Sequence, residues 1–73
     1  MKKTDDILIQ FGKQVKKIRL EKGISSQMKL AEKTSLDRTY IGDIERGKRK
    51  VALKSIQKVA KGLNVPLSEL FDF

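Results

Sequence analysis

Apolar residues recur along this chain at spacings of three and four, interrupted by glycine, asparagine and proline. That spacing marks helices with one buried stripe. Ile7, Leu8, Phe11, Val15 and Ile18 fall within roughly 100° of arc on a helical wheel, so a first helix is predicted from about Asp5 to Lys22. Asp5 and Asp6 oppose the positive end of its dipole and Lys22 the negative end. Gly23 is a natural left-handed stop. Ile9 and Leu20 lie off the stripe. A short second helix, Gln27 to Thr34, is capped by Ser26 and turns Leu30 and the small Ala31 inward. Asp37 caps a third helix, from Arg38 to about Arg46, which Gly47 ends. After the basic loop "GKRKVALK", Leu53, Ile56, Val59, Ala60 and Leu63 mark a fourth helix, with Asn64 as a left-handed cap. Pro66 fits the first turn of a last short helix, "PLSELF". No stretch predicts a strand. The expected fold is all-α, a compact bundle of about five short helices.

The third helix mixes residues suited to burial with residues that are not. With Arg38 as the zero of a wheel, Ile41 falls near 300° and Ile44 near 240°, which sets the buried direction at about 270°. Thr39 and Arg46 fall on the opposite side, near 100° and 80°, with Gly42 and Asp43 at about 40° and 140° and Arg38 at the margin. The outer face therefore offers fork-like donors, a hydroxyl and an acceptor. Gly42 stands in its middle, where a side chain would limit close approach, at a cost of about 1 kcal/mol relative to alanine. Such a face suits the major groove, where arginine reads guanine and threonine or aspartate read other base edges. A solvated helix face shows a similar pattern, and it is the charge of the whole chain that favours the groove.

Tyr40 and Glu45 border the buried face of the third helix, and Arg19 borders that of the first. Arg19 and Glu45, opposite in charge, are placed to pair across the two helices. The alternative is two unrelated surface charges, which contribute about 0–1 kcal/mol.

Composition sharpens this picture. The chain has 73 residues, with 17 Lys and Arg against 9 Asp and Glu, for a net charge of +8. A small basic domain is attracted to polyanions, nucleic acid before an anionic membrane or an acidic protein. One domain spanning 1–73 is expected, and a chain this short buries only about 60% of its unfolded surface, leaving little room for a deep cleft. Cysteine and histidine are absent, which excludes disulfides, thiolate chemistry, Cys/His zinc sites and imidazole-activated nucleophiles. With no glycine-rich phosphate loop and no paired carboxylates in view, no enzyme, cofactor or metal site is expected. No apolar run approaches the roughly 18–20 residues that span a bilayer. The opening "MKKTDDILIQFG" is a poor signal peptide, so no membrane partner is expected and the location predicted is the cytoplasm.

The final "PLSELFDF" carries Leu67, Leu70 and Phe71 at helical spacing, and Phe73 at its end. This stripe is predicted as a two-fold dimer interface, the alternative being closure of the monomer's own core. A dimer suits DNA readout, because two recognition helices about 34 Å apart read a palindrome one helical turn long.

The segment "QMKLAEKTSLDRTYIGDIERGK" resembles the Cro/phage-repressor, or XRE-like, helix-turn-helix family, whose fold is the lambda-repressor-like DNA-binding domain. Gln27, Leu30, Ala31, Leu36, Ile41, Ile44, Glu45 and Gly47 stand in the expected spacing, and Arg19 lies four residues before Gly23. The resemblance covers about Phe11 to Phe71. "LDRTYI" followed by "IERGKR", after "KKIRLEKG", resembles the controller proteins of restriction–modification systems, small dimeric transcription factors. The resemblance implies that Gln27 contacts phosphate, that Arg38 and Thr39 reach base edges, and that Tyr40 touches the backbone or a thymine methyl. It places Asp43 at a base-facing position and Arg46, Lys48 and Arg49 on phosphates. It also implies a buried ion pair between Arg19 and Glu45. Asp43 either accepts from a cytosine amino group or repels phosphate. Three departures stand out. The connection "ISS" is one residue longer than usual, which either shifts the second helix or bulges outward. Ser35 replaces the glycine usual in the turn, so a less strained backbone is expected there. Met28 and Lys50 stand where Glu and Asn are frequent.

The function expected is a sequence-specific DNA-binding transcriptional regulator, a restriction–modification controller that binds a palindromic operator as a homodimer. Its partners are double-stranded DNA, a second copy of the chain and, as a further candidate, RNA polymerase. The alternatives are a phage-type repressor or antitoxin of the same fold, or a protein-interaction module that has lost DNA binding.

Overall fold

Polar caps start the middle helices of this chain and left-handed residues stop most of them. The computed structural model describes residues 3–73, with side chains from residue 7 onward. The expected roles of Asp5 and Asp6 therefore lie outside the described side chains. The helices are α1 (Lys3–Glu21), α2 (Gln27–Thr34), α3 (Arg38–Glu45), α4 (Leu53–Leu63) and α5 (Leu67–Leu70). No strand occurs among the described residues.

Ser26 accepts a hydrogen bond from the Lys29 amide, and Asp37 accepts one from the Thr39 amide. Both satisfy donors that the first helical turn leaves unpaired. Three helices end in the same paired arrangement. After α1, Gly23 N–H donates to Leu20 and Ile24 N–H to Arg19. After α3, Gly47 donates to Ile44 and Lys48 to Asp43. After α4, Asn64 donates to Lys61 and Val65 to Ala60. This is the Schellman motif, which returns the next residue toward the helix it has left. Ile24 and Val65 follow that path, Ile24 into the core and Val65 against it.

The core is built from Phe11, Val15 and Ile18 of α1, Ile24, Leu30 and Ala31, Ile41 and Ile44 of α3, Val59, Ala60 and Leu63 of α4, and Leu70. Several expectations change here. Ile7, read as part of the buried stripe of α1, is half exposed, because the stripe outruns the elements that cover it. Leu53, read as core, is 83% exposed, since it opens α4 beyond the reach of α2. Leu70, read as part of a dimer surface, is fully buried and closes the monomer's core. Pro66 sits at the N-cap of α5 with extended backbone, one position before the first turn. Ser35 has φ 61° and ψ 24°, so it adopts the left-handed conformation glycine would supply. The turn keeps its shape at a cost of roughly 1–2 kcal/mol for a residue with a Cβ.

Gln14 ties the C-terminal segment to α1 by donating to the Glu69 carbonyl at 2.8 Å. Phe71 stacks on Phe11 with ring centroids 5.1 Å apart, and Phe73 tilts against Phe71.

Candidate nucleic-acid interface

The C-terminal end of α3 is clamped to α1. A Cβ at Gly12 would collide with the carbonyl oxygens of Ile44 and Glu45, so glycine lets α1 lie directly on the end of α3. Beside it, Arg19 Nε donates to Glu45 Oε2 at 2.7 Å and Arg19 Nη2 to Glu45 Oε1 at 3.2 Å. The two side chains are only 5% and 2% exposed. Arg19 Nη1 donates to the Ile24 carbonyl, and Gln27 Nε2 donates to Glu45 Oε1. A buried pair tolerates desolvation better when its other polar atoms are bonded, and these two bonds give Arg19 Nη1 a partner and Glu45 Oε1 a second donor.

The turn between α2 and α3 has a fastener of its own. The buried Thr34 hydroxyl bonds back to the Leu30 and Ala31 carbonyls, and its oxygen accepts from the Leu36 amide at 3.3 Å. With one end clamped and the entry turn pinned, α3 presents the first residues of its N-terminal turn outward. Arg38 and Thr39 are both exposed there. Neither Arg38 nor Lys48 forms an ion pair among the described residues.

Along the outer side of α3 and the loop after it lies a bonded cluster. Asp43 Oδ1 is 2.6 Å from Arg46 Nη2, and Asp43 Oδ2 is 3.0 Å from Arg49 Nη2. The hydrogen bond from Arg49, joined by that from Arg46, outweighs desolvation and holds the Asp43 carboxyl below its ordinary value of 3.8. The Arg49 guanidinium lies over the Tyr40 ring, 4.6 Å from its centroid, and the Tyr40 hydroxyl accepts from the Ala52 amide at 3.4 Å. Two guanidiniums on one carboxylate leave the cluster positive, and Lys48 and Lys50 add to it in the same loop. Lys13, Lys16 and Lys17 are exposed on α1.

Arg38, Thr39, Tyr40, Asp43, Arg46, Lys48 and Arg49 thus come from one helix and its following loop, and Gln27 enters from the start of α2. Gln27 faces partly inward. Its amide nitrogen is taken by Glu45, and its oxygen would lie 3.2 Å from a Cβ on Gly42. Gly42 itself is buried, covered by Gln27 and the Arg46 guanidinium. It was expected to stand open in the outer face. The wheel places it correctly on α3 but cannot see a side chain arriving from α2. In the "ISS" connection Ile24 is in the core, Ser25 is exposed and Ser26 keeps the cap.

Sequence reasoning passed over Gly12, Thr34 and Ile24. Ile24 carried a signal, an apolar residue just after a helix-ending glycine. Thr34 carried a weaker one, a hydroxyl in the last turn of a helix. Nothing local distinguishes Gly12.

A helix-turn-helix family profile matches residues 15–70. The control protein C.BamHI of Bacillus amyloliquefaciens is 50% identical over 70 residues, covering 96% of this chain and 86% of its own length. The crystal structure of the restriction–modification controller protein C.AhdI from Aeromonas hydrophila matches with a TM-score of 0.84 and 44% identity, over 88% of this chain and 96% of that one. The controller protein C.Esp1396I, solved as a tetramer in complex with its natural 35 base-pair operator, matches with a TM-score of 0.81 and 45% identity, over 90% of this chain and 86% of that one.

Proposed function

We propose, from the premise that this chain belongs to the XRE-like helix-turn-helix family alongside the restriction–modification controller proteins, that it is a sequence-specific DNA-binding transcriptional regulator of their kind. It is a regulator and not an enzyme. The observation that carries this reading is the exposure of Arg38 and Thr39 at the start of α3, with the other end fixed by Gly12 and the Arg19–Glu45 pair. Preorganised arginine and threonine side chains on a narrow helix suit the major groove.

Arg38 and Thr39 read base edges in this proposal. Arg46, Lys48 and Arg49 hold phosphates and set the register of α3 in the groove, with Tyr40 steering Arg49 and Gln27 at the groove edge. The whole span 1–73 acts as one DNA-binding unit. It works in the cytoplasm on the operators of its restriction–modification genes, with RNA polymerase as a further partner.

Two copies bind one palindrome. The apolar groove lined by Leu53, Ile56, Leu67 and Phe71, continued by exposed Phe73, is the surface on which the second copy docks. Leu70 has no part in it. A second copy is the occupant because the relative bound to its operator is an oligomer, and because one such domain spans only a half-site.

Selection of bound sites from random duplex DNA tests this reading. It is expected to return a palindrome with half-sites about one helical turn apart and an affinity that falls steeply with salt. Recovery of no preferred sequence, with a flat salt response, rejects it.

A further inference from the structure

The two arginines assigned to phosphate are already occupied in the unbound protein. Each oxygen of the Asp43 carboxylate holds one guanidinium, Arg46 at 2.6 Å and Arg49 at 3.0 Å. Arg49 is also seated on Tyr40, so neither group swings freely in solvent. Arginine grips carboxylate and phosphate through the same charge-assisted geometry. The Asp43 carboxylate thus engages the two guanidiniums as two phosphate oxygens would. Both arginine side chains are about half exposed, and exposed pairs are weak in water, so a phosphate can displace the carboxylate.

We infer that Asp43 is a specificity-determining residue that acts as an internal stand-in for phosphate, holding Arg46 and Arg49 until DNA displaces it. This rests on the DNA-binding reading given above. With an arginine on each oxygen, Asp43 offers a base only the lone pairs that the two guanidiniums leave. A duplex that offers phosphates alone exchanges two arginine–carboxylate bonds for two arginine–phosphate bonds, and it meets an extra negative charge on the way. Binding to unrelated sequence consists almost wholly of phosphate contacts, so it loses most from this competition. On the operator, the base contacts of Arg38 and Thr39 draw α3 into the groove and carry the exchange through. Asp43 thereby widens the gap between operator and bulk DNA.

The test is equilibrium binding of the wild-type protein, Asp43→Asn and Asp43→Ala, across salt. The probes are the selected operator and a random-sequence duplex of equal length. Both variants are expected to bind the random duplex roughly five- to tenfold more tightly near 0.1 M salt, with a slope steeper by about 0.9 for each phosphate contact freed. The operator gains less, so the ratio of the two affinities falls while the melting temperature holds. Unchanged binding to the random duplex overturns the inference, and an equal gain on both duplexes removes the specificity role. Loss confined to one operator position would instead make Asp43 a base reader. If the wild-type protein selects no site, the regulator reading fails on its own, and the random-duplex arm still decides whether Asp43 restrains the arginines.

Discussion

Arg19 on α1 and Glu45 on α3 meet in a two-pronged pair, Nε to Oε2 at 2.7 Å and Nη2 to Oε1 at 3.2 Å, shielded almost fully from water. The pair joins the helix that opens the fold to the last residue of the helix proposed to face DNA. Removing one partner strands a buried charge. Glu45→Ala is expected to cost roughly 3–5 kcal/mol in urea unfolding, and Arg19→Met combined with Glu45→Leu should recover much of it, since well-packed apolar replacements for such pairs are often neutral. A loss below about 1 kcal/mol for Glu45→Ala would mean that the pair behaves as a surface bridge.

Two glycines of the same interior are expected to respond in opposite ways. Gly12→Ala drives a methyl group into the backbone carbonyls of Ile44 and Glu45, which cannot yield without moving α3. Overpacking of this kind costs about 1–3 kcal/mol. A methyl at Gly42 meets only side-chain ends, those of Gln27 and Arg46 at 3.2 and 3.3 Å, and no backbone. There the helix propensity of alanine, worth up to about 1 kcal/mol, is expected to leave stability equal or higher. Melting curves for the two variants check this, and the order reversed would refute the account of α1 resting on α3.

Arg38 and Lys48 should separate by the kind of DNA contact they make. Arg38→Ala is expected to cost about 1–3 kcal/mol on the operator and to blunt discrimination at one base position. Lys48→Ala should weaken all duplexes alike and reduce the salt slope by about 1. Binding to an operator series with single base changes distinguishes the two, and equal losses across the series for both would show that Arg38 does not read bases.

Leu53 is the most exposed large apolar residue described, and it opens α4, where an acidic side chain favours the helix dipole. Leu53→Asp is therefore expected to leave the monomer folded while breaking the dimer. Sedimentation velocity should show the mass fall to one chain, and affinity for the full palindrome should drop at least about tenfold, or 1.4 kcal/mol. A variant that stays dimeric would place the second copy on another surface.

The sequence by itself determined where α2, α3 and α4 begin and end and which way the isoleucines of α3 face. Caps, left-handed stops and helical spacing act within about four residues of chain, so Ser26, Asp37, Gly47 and Asn64 carry their own instructions. The meeting of Arg19 with Glu45 was legible for a related reason, since each borders an apolar stripe on helices that must share one core. Only the tertiary structure decided what depends on neighbours distant in sequence. Leu53 and Leu70 have the same apolar character and helical setting, yet one lies in solvent and the other in the core, because cover comes from whichever element packs above. Gly42 is roofed by a glutamine from another helix. Asp43 is claimed by an arginine from the loop beyond its own helix. Ser35 turns left-handed because the packing of α2 against α3 requires that bend, whichever residue stands there. Local geometry is written into short stretches of chain, whereas burial and charge pairing belong to surfaces that exist only once the helices have met.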